Sequence, residues 1–328
     1  MCPNALHSFY SLYSPEKVLI SYPDNLRTSE NLKRRARQSR LDVGNQRESA
    51  QRLTFRKLKS VNNPNSIHGI YPYRGKISAI DAQQIIRQLP QEGTLLDPFC
   101  GSGTIVYEAQ SWGLSAIGID NNPLAIALTL AKTQENDLKR TYGNSRRLLK
   151  KAKGNRNAES MPEWSARFFH PRTAKEVMSM YALEDEMSAY ERAVLYGATC
   201  LTARACNHYV WSSNAVGKIM EPLSYVSFYD KYTLKLKKHS RYLNEGTPAT
   251  VIDGDSRRLS EILDPESVDF VYTSPPYFDA LDYTSYYARI IYNIKGTDTE
   301  AIRKRLIQNV KNYASDMGCG TKIATTHP

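Results

Sequence analysis

The 328-residue chain lacks any apolar run that reaches the ~20 residues of a membrane-spanning helix. Its first residues, MCPNALHSFYSLYSPEK, have neither a basic start nor a continuous apolar stretch, so no signal peptide is expected. The five cysteines form no CxxC pair and no metal-ligand spacing. These absences predict a cytoplasmic protein in a reducing setting, without a membrane partner and without a metal.

Acidic residues are also in short supply. Asp and Glu number 33 against 44 Lys and Arg, which gives a net charge of +11. The segment 139–156 holds eight basic residues and no acidic one, and further basic clusters lie at 33–59 and 235–241. This excess favours a polyanionic partner, nucleic acid ahead of membrane, over a merely soluble basic protein.

A glycine-containing turn between two buried segments organises the chain. In TLLDPFCGSGTIVYEAQSWGLSAIGID (94–120), a short apolar strand leads into Asp97, and a turn and a helix follow. A second apolar strand then ends at Asp120, whose carboxylate can bind ribose hydroxyls. The stretch lacks the lysine of a GxxxxGK[ST] loop, and Val106 replaces the third glycine of a dinucleotide fingerprint. A ligand with a ribose but no polyphosphate is therefore expected; a turn that merely needs glycine is the alternative.

Three motifs resemble those of a known family. DPFCGSGT and GIDNNP are similar to motifs I and II of the S-adenosylmethionine-dependent amino-methyltransferases of DNA. Thr273–Tyr277, TSPPY, is similar to their catalytic motif IV. The Ser-Pro-Pro-Tyr form is associated with methylation of cytosine N4, and the Asp/Asn-Pro-Pro-Tyr form with adenine N6. The matches cover roughly residues 66–130 and 249–280, less than a third of the chain.

The resemblance implies that S-adenosylmethionine is the cofactor and assigns residues to its site. Tyr73, Gly75 and Lys76 would belong to motif X, which helps to hold the methionine half, and Asp255 would lie near the adenine ring as the acid of motif III. The full expected set is Tyr73, Gly75, Lys76, Asp97, Pro98, Phe99, Gly101, Ser102, Gly103, Thr104, Asp120, Asn121 and Asp255.

Catalysis is expected at Ser274, Pro275, Pro276 and Tyr277. The prolines have fixed φ and no N–H, so the loop is stiff and presents carbonyls outward. The Ser274 hydroxyl and the Pro275 carbonyl can accept hydrogen bonds from an exocyclic amine, and Tyr277 offers a ring on which an extruded base can stack. Carbon-5 methylation would instead need a thiolate. Cys100 lies within the cofactor loop, and the chain has no Pro-Cys motif.

The fold class expected is α/β, a Rossmann-like methyltransferase sheet that looks incomplete at the C-terminus. Residues 1–60 are interpreted as a basic N-terminal arm, 61–135 as the cofactor-binding half and 249–328 as a truncated catalytic half. Residues 136–248 are interpreted as a basic linker or loop followed by a helical insertion. That insertion is either a target-recognition region or a cap with no sequence-reading role.

Two packed helices are expected over 174–206, and a further helical stretch over 222–243. Three strands of the family's seven-strand sheet cannot be found after motif IV, because residues 318–328 carry no strand–turn–strand pattern. The arm does not supply them either, since only Lys17–Ser21 resembles a strand there. The edge of the fourth strand is therefore expected to be unpaired, unless a complementing chain completes the sheet.

The leading hypothesis is a site-specific cytosine-N4 methyltransferase of double-stranded DNA. We expect it to belong to a restriction–modification system with a cognate endonuclease. The alternatives are adenine-N6 methylation of DNA, methylation of RNA, and a truncated non-catalytic DNA-binding remnant.

Overall fold

A parallel sheet lies at the centre of the described structure. The computed structural model describes residues 18–21, 66–203, 224–243, 246–276, 282–285 and 287–306. In these ranges the strands are β1 (Val18–Ser21), β2 (Thr94–Asp97), β3 (Ser115–Asp120), β4 (Thr250–Asp253) and β5 (Phe270–Thr273). They lie in the order β1-β5-β2-β3-β4, and every pairing is parallel. The Rossmann-like α/β fold expected from the sequence is confirmed.

The strand order reverses at β2. From β2 the chain adds β3 and then β4 on one side, whereas β5 pairs on the other side, with Leu95 opposite Phe270 and Leu96 opposite Val271. A ligand crevice forms at such a reversal, beyond the carboxyl ends of the strands. This order brings the end of β5 beside the end of β2.

Helices cover both faces of the sheet and form a separate layer beyond it. They are α1 (Ala79–Ile86), α2 (Thr104–Trp112), α3 (Pro123–Thr133), α4 (Leu138–Gly154), α5 (Glu163–Ala166), α6 (Pro171–Tyr181), α7 (Ala189–Thr202), α8 (Phe228–Ser240), α9 (Leu259–Ile262), α10 (Tyr287–Ile294) and α11 (Thr299–Arg305). Short 3-10 turns span Ile67–Gly69, Glu184–Glu186 and Ser256–Arg258. None of the helices in the described part of the chain combines the length and apolarity that crossing a membrane requires.

Alternation along the strands divides the core between the two faces. Leu95 packs with α1 and α2, while its neighbour Leu96 packs on the other face with Val271 and Leu259 of α9. A third, larger cluster joins α3 to α6, α7, α8 and α10. Successive side chains of a strand point to opposite faces, so one short apolar run supplies both layers.

The interpretation of residues 139–156 as a linker or loop is wrong. This stretch forms α4, which begins after Asp137, whose carboxylate accepts the Arg140 N–H at 3.0 Å. The buried residues follow each other at intervals of three or four: Thr141, Ser145, Leu148 and Ala152. That spacing is typical of the buried face of a helix. Two of the four residues are polar, however, so the hydrophobic period is weak and the high density of basic residues suggests a surface loop instead.

Six of the seven basic residues of α4 fall into two groups. Four exposed residues lie along one side of the helix and are called here the basic stripe: Lys139, Arg146, Lys150 and Lys153. Arg147 and Lys151 lie beside it and pair with Glu186 at 2.6 and 2.5 Å. In the described ranges no carboxylate pairs with the stripe, so its charge is open to an external anion.

The other helical expectations are confirmed where the structure describes them. The two helices expected over 174–206 are α6 and α7, and the stretch expected over 222–243 contains α8. The expectation of an unpaired edge beside the fourth strand is wrong. Strand β1 pairs with β5, from Val18 opposite Phe270 to Ser21 opposite Thr273. The segments 204–223 and 307–328 lie outside the described residues, as does most of the basic arm.

Candidate active site

A cavity opens at the carboxyl ends of β2, β3, β4 and β5. The expected cofactor residues in its lining are Tyr73, Gly75, Lys76, Asp97, Phe99, Gly101, Ser102, Thr104, Asp120, Asn121 and Asp255. Two other expected cofactor residues, Pro98 and Gly103, are not part of the lining. The carbonyl of Pro98 accepts a hydrogen bond from the Ser256 hydroxyl, and Gly103 begins α2. The topology therefore brings together residues that the sequence places in separate motifs.

The glycine loop needs glycine for two separate reasons. Gly101 and Gly103 have φ of +50° and +72°, a conformation that side-chain-bearing residues rarely adopt. In addition, a Cβ at Gly103 would lie 2.7 Å from the Thr129 side chain of α3. The tight turn and the close approach of α3 together fix the loop over the first turn of α2.

Two carboxyl groups face the loop, that of the buried Asp97 and that of the half-buried Asp120. Asp120 accepts the N–H of Gly101 at 2.8 Å and that of Asn122 at 2.9 Å, and Asp97 accepts the N–H of Phe99 at 3.2 Å. Burial raises the pKa of Asp97 to about 8 and that of Asp120 to about 6, although the N–H groups oppose both shifts. A ligand that offers a cation or hydroxyl donors would favour the charged forms of both groups.

Other polar atoms in the cavity wall have no partner in the described structure. The Ser102 and Thr104 hydroxyls and the Asn122 amide nitrogen are buried and make no hydrogen bond among the described residues. Buried polar groups are normally hydrogen-bonded, so these atoms indicate that a polar ligand completes the site. Donors, acceptors and carboxylates around a glycine turn fit the hydroxyl, ammonium and carboxylate groups of S-adenosylmethionine.

The segment before α1 forms another wall. Tyr73 stacks near Tyr283, with ring centroids 6.5 Å apart and planes at 27°. The Lys76 ammonium donates to the carbonyl of His68 at 2.8 Å, and burial lowers its pKa. Lys76 therefore lines the cavity and is also held by a hydrogen bond to the backbone at His68.

The two acids after β4 are engaged with arginines. Asp253, at the strand end, accepts from Arg305 of α11 at 2.6 Å. Asp255 holds the Arg257 guanidinium with Nε at 2.9 Å from one carboxylate oxygen. Burial alone would raise the pKa of Asp255, but the arginine outweighs it and the pKa is lowered. Asp255 is thus a charged group at the cavity edge.

The segment that the sequence predicts to be catalytic enters the same cavity from β5. Ser274 and Pro276 line it, with Asp97 and the glycine loop on the neighbouring wall, while Pro275 lies between them outside the lining. Tyr277 lies outside the described residues. Cys100 also lines the cavity, but burial raises its pKa well above the ordinary value, so it is not a thiolate.

Sequence reasoning missed part of the lining. The additional residues are Ile77, Cys100, Ile105, Asn122, Gly254, Ser256, Tyr283 and Leu306. Most are neighbours of residues already expected, and their adjacency is a usable signal. Tyr283 and Leu306 reach the cavity from the segment after β5 through tertiary packing, which no local pattern in the sequence indicates.

The family model for D12 class N6 adenine-specific DNA methyltransferases matches residues 81–318. The chain belongs to this family. Methyltransferases of this family use S-adenosylmethionine as the methyl donor. The type II methyltransferase M.MjaII of Methanocaldococcus jannaschii is 30% identical over 89 residues, which are 27% of this chain and 17% of that protein. The chain thus covers less than a fifth of that relative's length. No solved structure matches the chain.

The family result confirms the resemblance to DNA amino-methyltransferases but not to their cytosine-N4 subgroup. The residue that suggested the subgroup, Ser274, is present at the cavity, whereas the matching family is described as adenine-specific.

Proposed function

We propose that this protein transfers a methyl group from S-adenosylmethionine to an exocyclic amine of a base in double-stranded DNA. The observation that carries the proposal is the shared cavity, in which the glycine loop and Asp120 face Ser274 and Pro276. A cofactor pocket alone would suit many enzymes. A stiff proline loop that brings the Ser274 hydroxyl to the same pocket is the feature that suits an amine substrate.

The chain's own residues supply binding and orientation. Asp120 and Asp97 would hold hydroxyl or ammonium groups of the cofactor, and the Ser102 and Thr104 hydroxyls would complete its polar contacts. Bound S-adenosylmethionine supplies an electrophilic methyl group. The Ser274 hydroxyl and the Pro275 carbonyl would accept the two amine hydrogens and so aim the nitrogen lone pair at that methyl. Such positioning in a preorganised polar site requires no covalent enzyme intermediate.

Adenine N6 is the first candidate target, because the family that matches is adenine-specific. Cytosine N4 is the second, because Ser274 occupies the position that resembles the cytosine form of the motif. Both amines are delocalised into their rings and need the same pair of acceptors, so the loop chemistry serves either base.

Duplex DNA as the substrate is supported by the family and by the charge of the chain. The basic stripe on α4 is exposed and without carboxylate partners among the described residues, which suits phosphate contact. A cognate endonuclease and a complementing chain stay predictions from the sequence.

The test is methylation of genomic DNA from a host that lacks adenine and cytosine amino-methylation, because such DNA presents every sequence context. After incubation with isotopically labelled S-adenosylmethionine, the DNA is digested to nucleosides and analysed by mass spectrometry. Label in N6-methyldeoxyadenosine supports the first candidate, and label in N4-methyldeoxycytidine the second. Ser274→Ala serves as the inactive control. Cofactor binding without label in any nucleoside would refute the enzyme function and favour the DNA-binding remnant.

A further inference from the structure

Two side chains of α3 hold the carbonyls of the glycine loop from below. The Thr129 hydroxyl donates to the carbonyl of Gly101 at 3.1 Å, and the Lys132 ammonium donates to the carbonyl of Ser102. Both side chains are buried, and Lys132 is only 1% exposed. A lysine this deeply buried is rare unless it is paired, because removing its charge from water is costly.

The partners of Lys132 form a continuous chain. Its Nζ lies 3.4 Å from His68 Nδ1, and His68 Nε2 lies 2.8 Å from Glu108 Oε1. The other carboxylate oxygen of Glu108 accepts from the Gln83 amide at 2.8 Å. The chain thus runs from α1 through α2 and the turn at Ile67–Gly69 to α3, and it ends on the loop backbone.

The hydrogen bonds assign the proton positions along this chain. Burial lowers the pKa of His68 to about 4, so its imidazole is neutral and has one N–H. Burial also lowers the pKa of Lys132 well below its ordinary value, and the Lys132 Nζ is a donor with or without its extra proton. Nδ1 of His68 therefore accepts from Lys132, and Nε2 carries the hydrogen and donates to Glu108. The imidazole links the buried amine of Lys132 to the buried carboxyl group of Glu108, and removing either end would leave buried polar atoms without a partner.

We propose that Lys132, held by His68 and Glu108, is a positioning residue for the cofactor loop. Its bond to the Ser102 carbonyl fixes that peptide toward α3. Ser102, which lines the cavity and whose buried hydroxyl has no partner among the described residues, is then held in place. This inference rests on the proposed function, since it assumes that S-adenosylmethionine binds at the loop. It assigns the buried lysine to cofactor affinity rather than to general stability.

The test compares Lys132→Met with Gln110→Met. Gln110 is also buried, and its amide donates to the carbonyls of Thr133 at 3.0 Å and Thr247 at 2.6 Å, on α2 but away from the loop. Both variants lose buried donors and gain a methionine. Binding of S-adenosylhomocysteine is measured by calorimetry, thermal unfolding by circular dichroism, and KM for cofactor and for DNA by steady-state kinetics.

We expect Lys132→Met to weaken S-adenosylhomocysteine binding and to raise the cofactor KM at least tenfold, with the KM for DNA unchanged. Gln110→Met should lower the melting temperature but alter cofactor affinity less than twofold. Equal effects of the two variants on cofactor affinity would overturn the proposal. If Lys132→Met does not fold, Thr129→Val and Glu108→Gln are tested in its place. We expect each of them to bind S-adenosylhomocysteine at least threefold more weakly than the wild-type protein. Unchanged binding in both variants would overturn the proposal.

Failure of the proposed function gives a different result. A wild-type protein that binds no S-adenosylhomocysteine refutes the cofactor site itself and this inference with it. A wild-type protein that binds it, beside a folded Lys132→Met variant that binds it equally, refutes only the positioning role.

Discussion

Replacing Gly103 by alanine should be among the most damaging single-methyl additions in the described part of the chain. At φ +72° an alanine costs about 1–2 kcal/mol relative to glycine. Its Cβ would also lie 2.7 Å from the Thr129 side chain, and overpacking of this kind costs about 1–3 kcal/mol. Relief by rotation of Thr129 would break its bond to the Gly101 carbonyl. We expect a total loss of about 2–5 kcal/mol in the free energy of unfolding.

Two other glycines separate these causes. Gly113 has φ +101°, but the nearest atom to a Cβ there is 3.7 Å away, so Gly113→Ala reports the backbone cost without the overlap. Gly143 lies within α4 with nothing within 4 Å of its Cβ position. Gly143→Ala should therefore stabilise by about 0.5–1 kcal/mol, the difference in helix propensity.

The assay is equilibrium unfolding in urea, followed by circular dichroism, for the three variants and the wild-type protein. The expected order of stability is Gly143→Ala, wild type, Gly113→Ala and Gly103→Ala. If Gly103→Ala costs no more than Gly113→Ala, the contact with Thr129 is not a constraint, and the structural reason given for the second glycine of the loop is wrong.

Four further outcomes are expected. Asp120→Ala should weaken S-adenosylhomocysteine binding by ~1–3 kcal/mol, the scale of charge-assisted hydrogen bonds, and unchanged affinity in a folded variant would remove Asp120 from the site. Ser274→Ala should slow methyl transfer and leave cofactor affinity nearly unchanged, so full activity would contradict its assigned role. Because burial raises the pKa of Asp97 to about 8 and that of Asp120 to about 6, the folded state keeps protons that the unfolded chain releases above about pH 4. The contribution of these two groups to the free energy of unfolding should therefore be largest below about pH 4 and should fall as the pH rises through 6 and 8. Asp97→Asn should remove the part of this fall between about pH 6 and 8. A variant with the same pH profile as the wild-type protein would refute the raised pKa of Asp97. Neutralising the basic stripe with glutamine should reduce the slope of log affinity for DNA against log salt by up to about 0.9 per residue, whereas neutralising the two residues paired with Glu186 should not.

Local signals predicted the centre of the site well. Strands ending at Asp97 and Asp120, with glycines between them, can be recognised because each signal spans a few residues. Asn122 caps α3, with its side chain accepting the Leu124 N–H at 3.0 Å, as the Asn-Pro pair indicates. These features depend on backbone geometry that a particular residue type imposes, so sequence alone is sufficient for them.

Features that depend on distant contacts could not be predicted. The chain of buried polar side chains joins Lys132 to His68 across 64 residues and to the loop, and no member alone carries a local sequence signal for these contacts. The pairing of β1 with β5 joins residues 18–21 to residues 270–273, which are far apart in the sequence. The prediction of a loop at 139–156 is wrong because basic residues dominate the composition of this helix. Only its four buried residues show the helical spacing of three or four.

The long insertion between β3 and β4 leaves the strand order intact because its ends are fastened together. The N–H of Ala249, just before β4, donates to the carbonyl of Thr133 at the end of α3, at 3.3 Å. The Gln134 amide returns to the Ala249 carbonyl at 2.9 Å, and Gln110 of α2 donates to Thr133 as well. The first and last residues of the insertion are therefore hydrogen-bonded to each other next to the start of β4.

The helices in the middle of the insertion pack against the cofactor-binding half of the protein. Helix α7 lies against α3, and it approaches the preceding turn so closely that a Cβ at Gly197 would fall 1.9 Å from the carbonyl of Ile70. Helices α7 and α8 thus support the wall that carries Tyr73, as a cap would. Helix α4 instead turns its basic stripe toward solvent. Helices α7 and α8 thus pack as a cap against the cofactor half, and a target-recognition role for the insertion stays a prediction.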